Sequence, residues 1–198
     1  MLKEFKKSDI ISRTFTKMRG EYEAKYQFTT HADAIPDAIT KTSHINFYKL
    51  RNYLNQVFKY GYKDQELGCS NCKHLIGEVE EIKDDEIIWL ANKSEYRGNG
   101  NKQHEIAQEY FLKYDPYTVC YELPVYNEER SGFIDLIRYK DDKVYICDLK
   151  PNAAKENKTK VLSQLIHYKN MLALRTGIEE SDIIALYFDD TNIYQLKI

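Results

Sequence analysis

The spacing of apolar side chains divides the chain into two stretches of different pattern. Up to about residue 65 the pattern reads as mainly helical. Its clearest helix is Ile45–Phe58, where Phe47, Leu50, Leu54, Val57 and Phe58 recur at helical spacing behind Ser43 as a cap candidate; Pro36 interrupts what comes before. Gly68–Cys72 reads as a turn. Two short apolar runs, Leu75–Ile82 and Glu86–Leu90, suit a hairpin around Asp84-Asp85, and with the preceding helix they suggest a small winged-helix module. The segment Ser94–Lys102 carries two glycines and no apolar run, so it marks a boundary between a helical N-terminal region with a small hairpin (1–95) and a second unit (96–198).

In the second unit, His104–Tyr114 reads as a helix whose Ala107, Tyr110, Phe111 and Tyr114 form one stripe and which Pro116 ends. Strands follow at Thr118–Val125, Gly132–Tyr139 and Lys143–Lys150, then a polar basic loop, a helix near Thr159–Arg175, and strands at Ile183–Asp189 and Ile193–Ile198. The order αβββαββ places the chain in the mixed α/β (α+β) class.

One hairpin within this order carries chemistry. Lys140-Asp141-Asp142-Lys143 suits a two-residue turn, and that register pairs Arg138 with Tyr145 and Asp135 with Asp148. Directly opposed residues share a face with Cβ atoms ~5 Å apart, so two carboxylates there repel. Both sit within apolar strand sequence, where an unpaired charge also carries a desolvation cost. A divalent cation between them answers both problems. Lys150, two residues past Asp148, falls on the same face. A structural Lys150–Asp ion pair on a sheet face would read the same way.

Composition narrows the class without naming a function. A hydrophobic content of 42% suffices for a real core, and a net charge of −2 gives no overall field for a polyanion. No apolar run approaches the ~18 residues needed to cross a bilayer, and the charged start lacks an apolar leader segment, so a soluble, cytoplasmic chain with no membrane partner is expected. Four cysteines are too few and too scattered for a secreted disulfide framework. Cys69-Ser-Asn-Cys72 with His74 has the spacing of half a zinc site, but a lone CxxC is a weak signal, and Cys120 and Cys147 fall in strands as ordinary buried thiols. Positive charge does concentrate locally: Lys150, Lys155, Lys158, Lys160, Lys169 and Arg175 stand against Glu156 alone, the pattern of a phosphate footprint or of a solvated helix face.

Three strings, Gly132-Phe-Ile-Asp135-Leu, Ile146-Cys-Asp148-Leu-Lys150 and Gln164-Leu-Ile-His-Tyr168, resemble in order the first acidic position, the (D/E)xK strand and the QxxxY helix of the PD-(D/E)xK nuclease superfamily, in its RecB-like and Cas4-like branch. The segment Gly98-Asn-Gly100-Asn-Lys-Gln-His104-Glu105 matches that branch's helix with a metal-binding histidine. The resemblance covers about half the chain, from His104 onward; Ile134 stands where the namesake proline is frequently absent. It implies a restriction-endonuclease-like core, a mixed central sheet flanked by helices. It also implies a divalent-metal-dependent DNA nuclease, RecB/Cas4-like and exonucleolytic, acting on single-stranded, duplex or branched DNA. By the same resemblance Asp135, Asp148 and Lys150 are catalytic, and His104, Asp135, Asp148 and the Leu149 carbonyl hold Mg²⁺ or Mn²⁺, the imidazole favouring Mn²⁺. Gln164 and Tyr168, with Lys160 one turn earlier, would hold the DNA. Cas4-like relatives carry an iron–sulfur cluster on one cysteine before the core and three after the QxxxY helix. No cysteine follows Tyr168, and Asn55 stands at the upstream position, so no cluster is expected.

Several residues have a second reading. Tyr168 continues the apolar stripe Val161, Leu165, Leu172, and His104 continues that of Ala107 and Phe111, so both fit a core role. Glu105 and Glu109 are then spare ligands. The alternatives at the level of function are a structure-selective, junction-resolvase-like endonuclease, which works as a homodimer, and a catalytically inactive winged-helix-type DNA-binding protein.

Overall fold

Alternation of buried and exposed positions organises the first segment. On Ile10–Arg19 (β1), Phe15 and Lys17 are buried while Thr14, Thr16 and Met18 are exposed, the period of a half-buried strand. Tyr22–His31 (β2) pairs antiparallel with it along its whole length. The expectation of a mainly helical N-terminal region is therefore corrected for Ile10–His31. A lysine at an inward strand position, Lys17, interrupts the apolar alternation that marks a strand.

The computed structural model describes residues 10–19, 21–32, 45–65, 67–69, 75, 77–94 and 101–197. The turn, cap and linker assignments at Pro36, Ser43, 70–72 and 95–100, and Cys72 and His74 of the CxxC segment, lie outside them. The helix predicted from Ile45 is present as Ile45–Tyr60 (α1), with Phe47, Leu50, Leu54 and Val57 buried. Leu67–Gly68 (β3) pairs parallel with a later strand at Arg130-Ser131.

The hairpin around Asp84-Asp85 is not formed. Glu78–Ile82 is a strand (β4), but Asp84 accepts hydrogen bonds from the Glu86 and Ile87 amides and caps a helix, Asp85–Lys93 (α2). Ile87, Leu90 and Ala91 bury its apolar face, a helical spacing within an apolar run short enough to suit a strand as well. With β4 paired to the C-terminal strand instead, the winged-helix module is absent from the described residues.

From residue 101 the predicted order holds: Asn101–Tyr114 (α3), Thr118–Tyr126 (β5), Arg130–Lys140 (β6), Lys143–Leu149 (β7), Lys158–Thr176 (α4), Ile183–Phe188 (β8) and Ile193–Lys197 (β9). Asn157 caps the start of α4 through the Lys160 amide, and Gly177 ends it at φ 70°, a conformation glycine adopts without steric cost. One mostly antiparallel sheet runs β1-β2-β5-β6-β7-β8-β9-β4, so strands from both sides of the 95/96 boundary share it. Among the described residues no helix is long and apolar enough to cross a membrane.

The sheet is packed on both faces. Leu50 and Leu54 of α1 and Leu165 and Leu172 of α4 cluster with Ile137 and Ile146, while Ile87 and Leu90 of α2 and Ala107 and Phe111 of α3 cluster with Leu136 and Cys147. Neighbours such as Leu136 and Ile137 thus point into opposite halves of the core. Burying each such side chain contributes ~1.5–3 kcal/mol. An ion pair lies inside this packing: Arg138 Nε and Nη2 donate to Asp115 at 2.6 and 3.2 Å, and Asp115 also accepts from Thr118 Oγ1 and the Tyr117 amide.

Candidate active site

The β6–β7 hairpin has the register read from its sequence. Arg138 pairs with Tyr145 and Leu136 with Cys147, and Asp141 and Asp142 close the turn at φ 52° and 60°, as a two-residue type I′ turn requires. Pairing ends at Leu136–Cys147, so Asp135 and Asp148 occupy the next position, where β7 parts from β6 while its pairing with β8 continues. The Leu149 amide, past the last β6–β7 pair, donates to Asp135 Oδ2 at 2.7 Å. A carboxylate at this fork takes over a ladder hydrogen bond that the strands no longer make.

A third carboxylate joins the row. Tyr121 pairs with Leu136 and Leu123 with Ile134, which puts Glu122 of β5 across from Asp135. Glu122 has φ 51°, uncommon for a residue with a Cβ. Sequence reasoning missed it, although it is a carboxylate within an apolar run, as Asp135 and Asp148 are. Gln108 of α3 is also new to the site: its Nε2 donates to Glu122 Oε1 at 2.8 Å and to the Asp135 carbonyl at 3.3 Å.

His104 enters from α3. Its Nε2 lies 3.1 Å from Asp135 Oδ2 and 3.3 Å from the Leu149 carbonyl oxygen. One ligand atom from each of His104, Glu122 and Asp135 lies within 4.8 Å of the others. Asp148 stands beside this group with its Oδ2 2.6 Å from Lys150 Nζ. Lys150 reaches Gln164 Oε1 at 3.5 Å, and Gln164 Nε2 donates to the Tyr168 hydroxyl at 3.0 Å. Tyr168 is thus both core, as its apolar stripe suggests, and the end of a polar chain into the site. Gly132 makes this possible, since a Cβ there would come within 2.6 Å of Tyr168 Cε1.

Burial governs the electrostatics. Desolvation pushes the Asp148 carboxyl up, Lys150 opposes it, and facing Asp135 adds to it, leaving the group at about 7. Glu122 is likewise raised to about 7 by burial and then by Asp135. For Asp135, burial works upward, but His104, Lys150 and the Leu149 amide hold it below the usual carboxylate range. Burial works against a charged His104, yet Asp135 raises it to about 9. Lys150 is desolvated too, and Asp148 and Asp135 keep it protonated.

These groups line a groove of about 940 Å³. Glu105 and Glu109 of α3 and Lys25, Tyr26 and Gln27 of β2 also line it. Lys160 is exposed outside it, and the basic segment of the sequence is not one surface. Lys169 is buried, and the Arg175 guanidinium lies 4.0 Å from the Tyr126 ring centre with Nε donating to the Tyr126 carbonyl. Cys69, Cys120 and Cys147 are buried, and burial pushes the Cys120 and Cys147 thiols up. Compared with protein-family models, with curated proteins and with solved structures, the chain finds no match.

Proposed function

We propose that this chain is a divalent-metal-dependent DNA nuclease with a restriction-endonuclease-like core. The observation that carries the reading is the row of three recessed carboxylates, Glu122, Asp135 and Asp148, on three neighbouring strands, with His104 closing one end and Lys150 the other. Like charges in such a row repel. A fold that keeps them together gains most when a cation is bound among them.

The donor set fits Mg²⁺ or Mn²⁺. Carboxylate oxygens suit both, and one imidazole nitrogen favours Mn²⁺. His104, Glu122 and Asp135 would hold the ion, with Asp148 and the Leu149 carbonyl adjoining; Glu122 is thereby added to the ligands expected from sequence. Such an ion neutralises charge on a phosphodiester and makes bound water more acidic. His104 would serve as a ligand only with Nε2 unprotonated, whereas Asp135, 3.1 Å from that atom, favours the charged imidazolium. Lys150, raised above the usual lysine range by its two carboxylate neighbours, would stabilise charge developing on the phosphoryl oxygens. The Gln164–Tyr168 pair fixes Lys150, since Tyr168 is buried and cannot drift. The RecB/Cas4-like, exonucleolytic reading follows from the motif strings.

The experiment is incubation of end-labelled single-stranded, duplex and junction DNA with Mg²⁺ or Mn²⁺, comparing wild type with Asp148→Ala. Cleavage by wild type alone is expected. A folded wild-type protein that cuts none of the three in either metal would overturn the reading.

A further inference from the structure

The β1–β2 hairpin belongs to no part of the proposed chemistry, yet it shares the site's groove. β2 pairs with β1 along its whole length but with β5 only at Thr29 and Thr30. Its outer part, Tyr22–Phe28, therefore stands apart from β5, and the groove between continues to Asp135 and Asp148.

The hairpin is held rigidly in place. Lys17, buried, uses its ammonium on Asp64 Oδ1 at 2.7 Å, the Gln65 carbonyl at 3.2 Å and Ser131 Oγ. The Tyr26 ring stacks on Phe133 at 3.8 Å with an interplanar angle of 2°, and Phe15 meets Tyr62 edge-on at 5.2 Å. Arg13 donates to the Val57 and Phe58 carbonyls at the end of α1. These cations are spent on holding the arm. Lys25 and Gln27 are exposed on the groove, with Glu23 nearer the tip. As alternate residues of one strand they share a face about 7 Å apart.

We infer that the hairpin is a preorganised wall of the substrate groove, on which Lys25 and Gln27 take the phosphates of the strand whose scissile bond lies at the carboxylate row. The inference rests on the nuclease reading. Charge sets the direction, because Glu105 and Glu109 of α3, which line the same groove, repel a phosphate backbone and Lys25 of β2 attracts it. Glu23 ends the phosphate track toward the tip. A fixed wall loses little freedom on binding, so its contacts appear as affinity.

The test is binding of fluorescein-labelled single-stranded DNA in EDTA, where no metal-dependent cutting intervenes, read by anisotropy across a range of salt. Lys25→Ala is expected to weaken binding severalfold and to lower the slope of log affinity against log salt by ~0.7, the loss of one phosphate contact on a single strand. Lys25→Arg restores both, Lys25→Ala/Gln27→Ala weakens binding further, and Lys93→Ala on α2 changes neither. Absence of binding by wild type, or a Lys25→Ala protein with wild-type affinity and salt slope, overturns the inference. The nuclease reading fails separately, if wild type leaves DNA uncut in Mg²⁺ and Mn²⁺.

Discussion

Replacing Gly132 with alanine adds a single methyl group at the point where β6 meets α4. The new Cβ would lie 2.6 Å from Tyr168 Cε1 and 3.2 Å from both the Tyr168 hydroxyl and Cys69 Sγ. Ordinary carbon contacts are ~3.5–4.0 Å, so ring and strand must part by about 1 Å. Tyr168 is only 4% exposed and packs in the core beside Leu165 and Leu172, which leaves the ring nowhere to go without moving α4. Overpacking of this kind costs ~1–3 kcal/mol. For a chain of this size each kcal/mol lowers the melting temperature by about 2–4 °C. The shift also carries the Tyr168 hydroxyl away from Gln164 and loosens Lys150, and a 1 Å misplacement of a reacting group lowers the rate by up to ~10²-fold. Thermal denaturation followed by circular dichroism reads the first effect and DNA cleavage the second. In a Tyr168→Leu background the destabilisation should shrink, since the ring it collides with is gone. A Gly132→Ala protein that melts with wild type, or loses as much in the Tyr168→Leu background, would refute the close approach.

Asp115→Ala leaves Arg138 charged and buried beside only a partly exposed Glu86 at 3.5 Å, so it should cost ~3–5 kcal/mol in urea unfolding; a midpoint near wild type would contradict that. Asp148 and Glu122, both raised to about 7, and His104, raised to about 9, bind protons more tightly folded than unfolded. Their stabilisation is complete below the unfolded values and fades as pH rises through about 7 and then about 9, so in EDTA the melting temperature should fall between pH 5 and pH 9. Mn²⁺ should reverse that trend, because it binds the deprotonated groups; equal melting with and without Mn²⁺ at pH 8 would refute the site. Glu122→Gln removes one of the repelling charges, and should raise the metal-free melting temperature at pH 8 while weakening Mn²⁺ binding at least tenfold by calorimetry.

Local pattern made the second half of the fold legible, and its limits explain what was missed. The β6–β7 turn fixes its own register, because two residues between Lys140 and Lys143 leave few alternatives, and the position of Asp135 opposite Asp148 follows. The same arithmetic on β5 and β6 reaches Glu122, but the connection between these strands is longer than two residues, so its length alone does not set the register. The β1–β2 hairpin was hidden for a different reason. Its inward Lys17 is satisfied by Asp64 and Ser131, partners far away in sequence, so its burial leaves no local trace. At Asp84 the sequence suits a turn and a helix cap alike, because Asp favours both. Gln108 carries no signal of its own, since a glutamine on a helix reads as surface until the strand beneath it is placed.

The proposed chemistry is tested most directly by measuring Mn²⁺ affinity and DNA cleavage together on wild type and Lys150→Ala. Lys150 touches Asp148 and Gln164 and lies outside the His104, Glu122, Asp135 ligand group. Wild type should bind Mn²⁺ and cut DNA, and Lys150→Ala should still bind the ion while cutting ~10²-fold or more slowly. Wild-type protein that binds Mn²⁺ and leaves every phosphodiester intact, or Lys150→Ala that cuts at the wild-type rate, would contradict it.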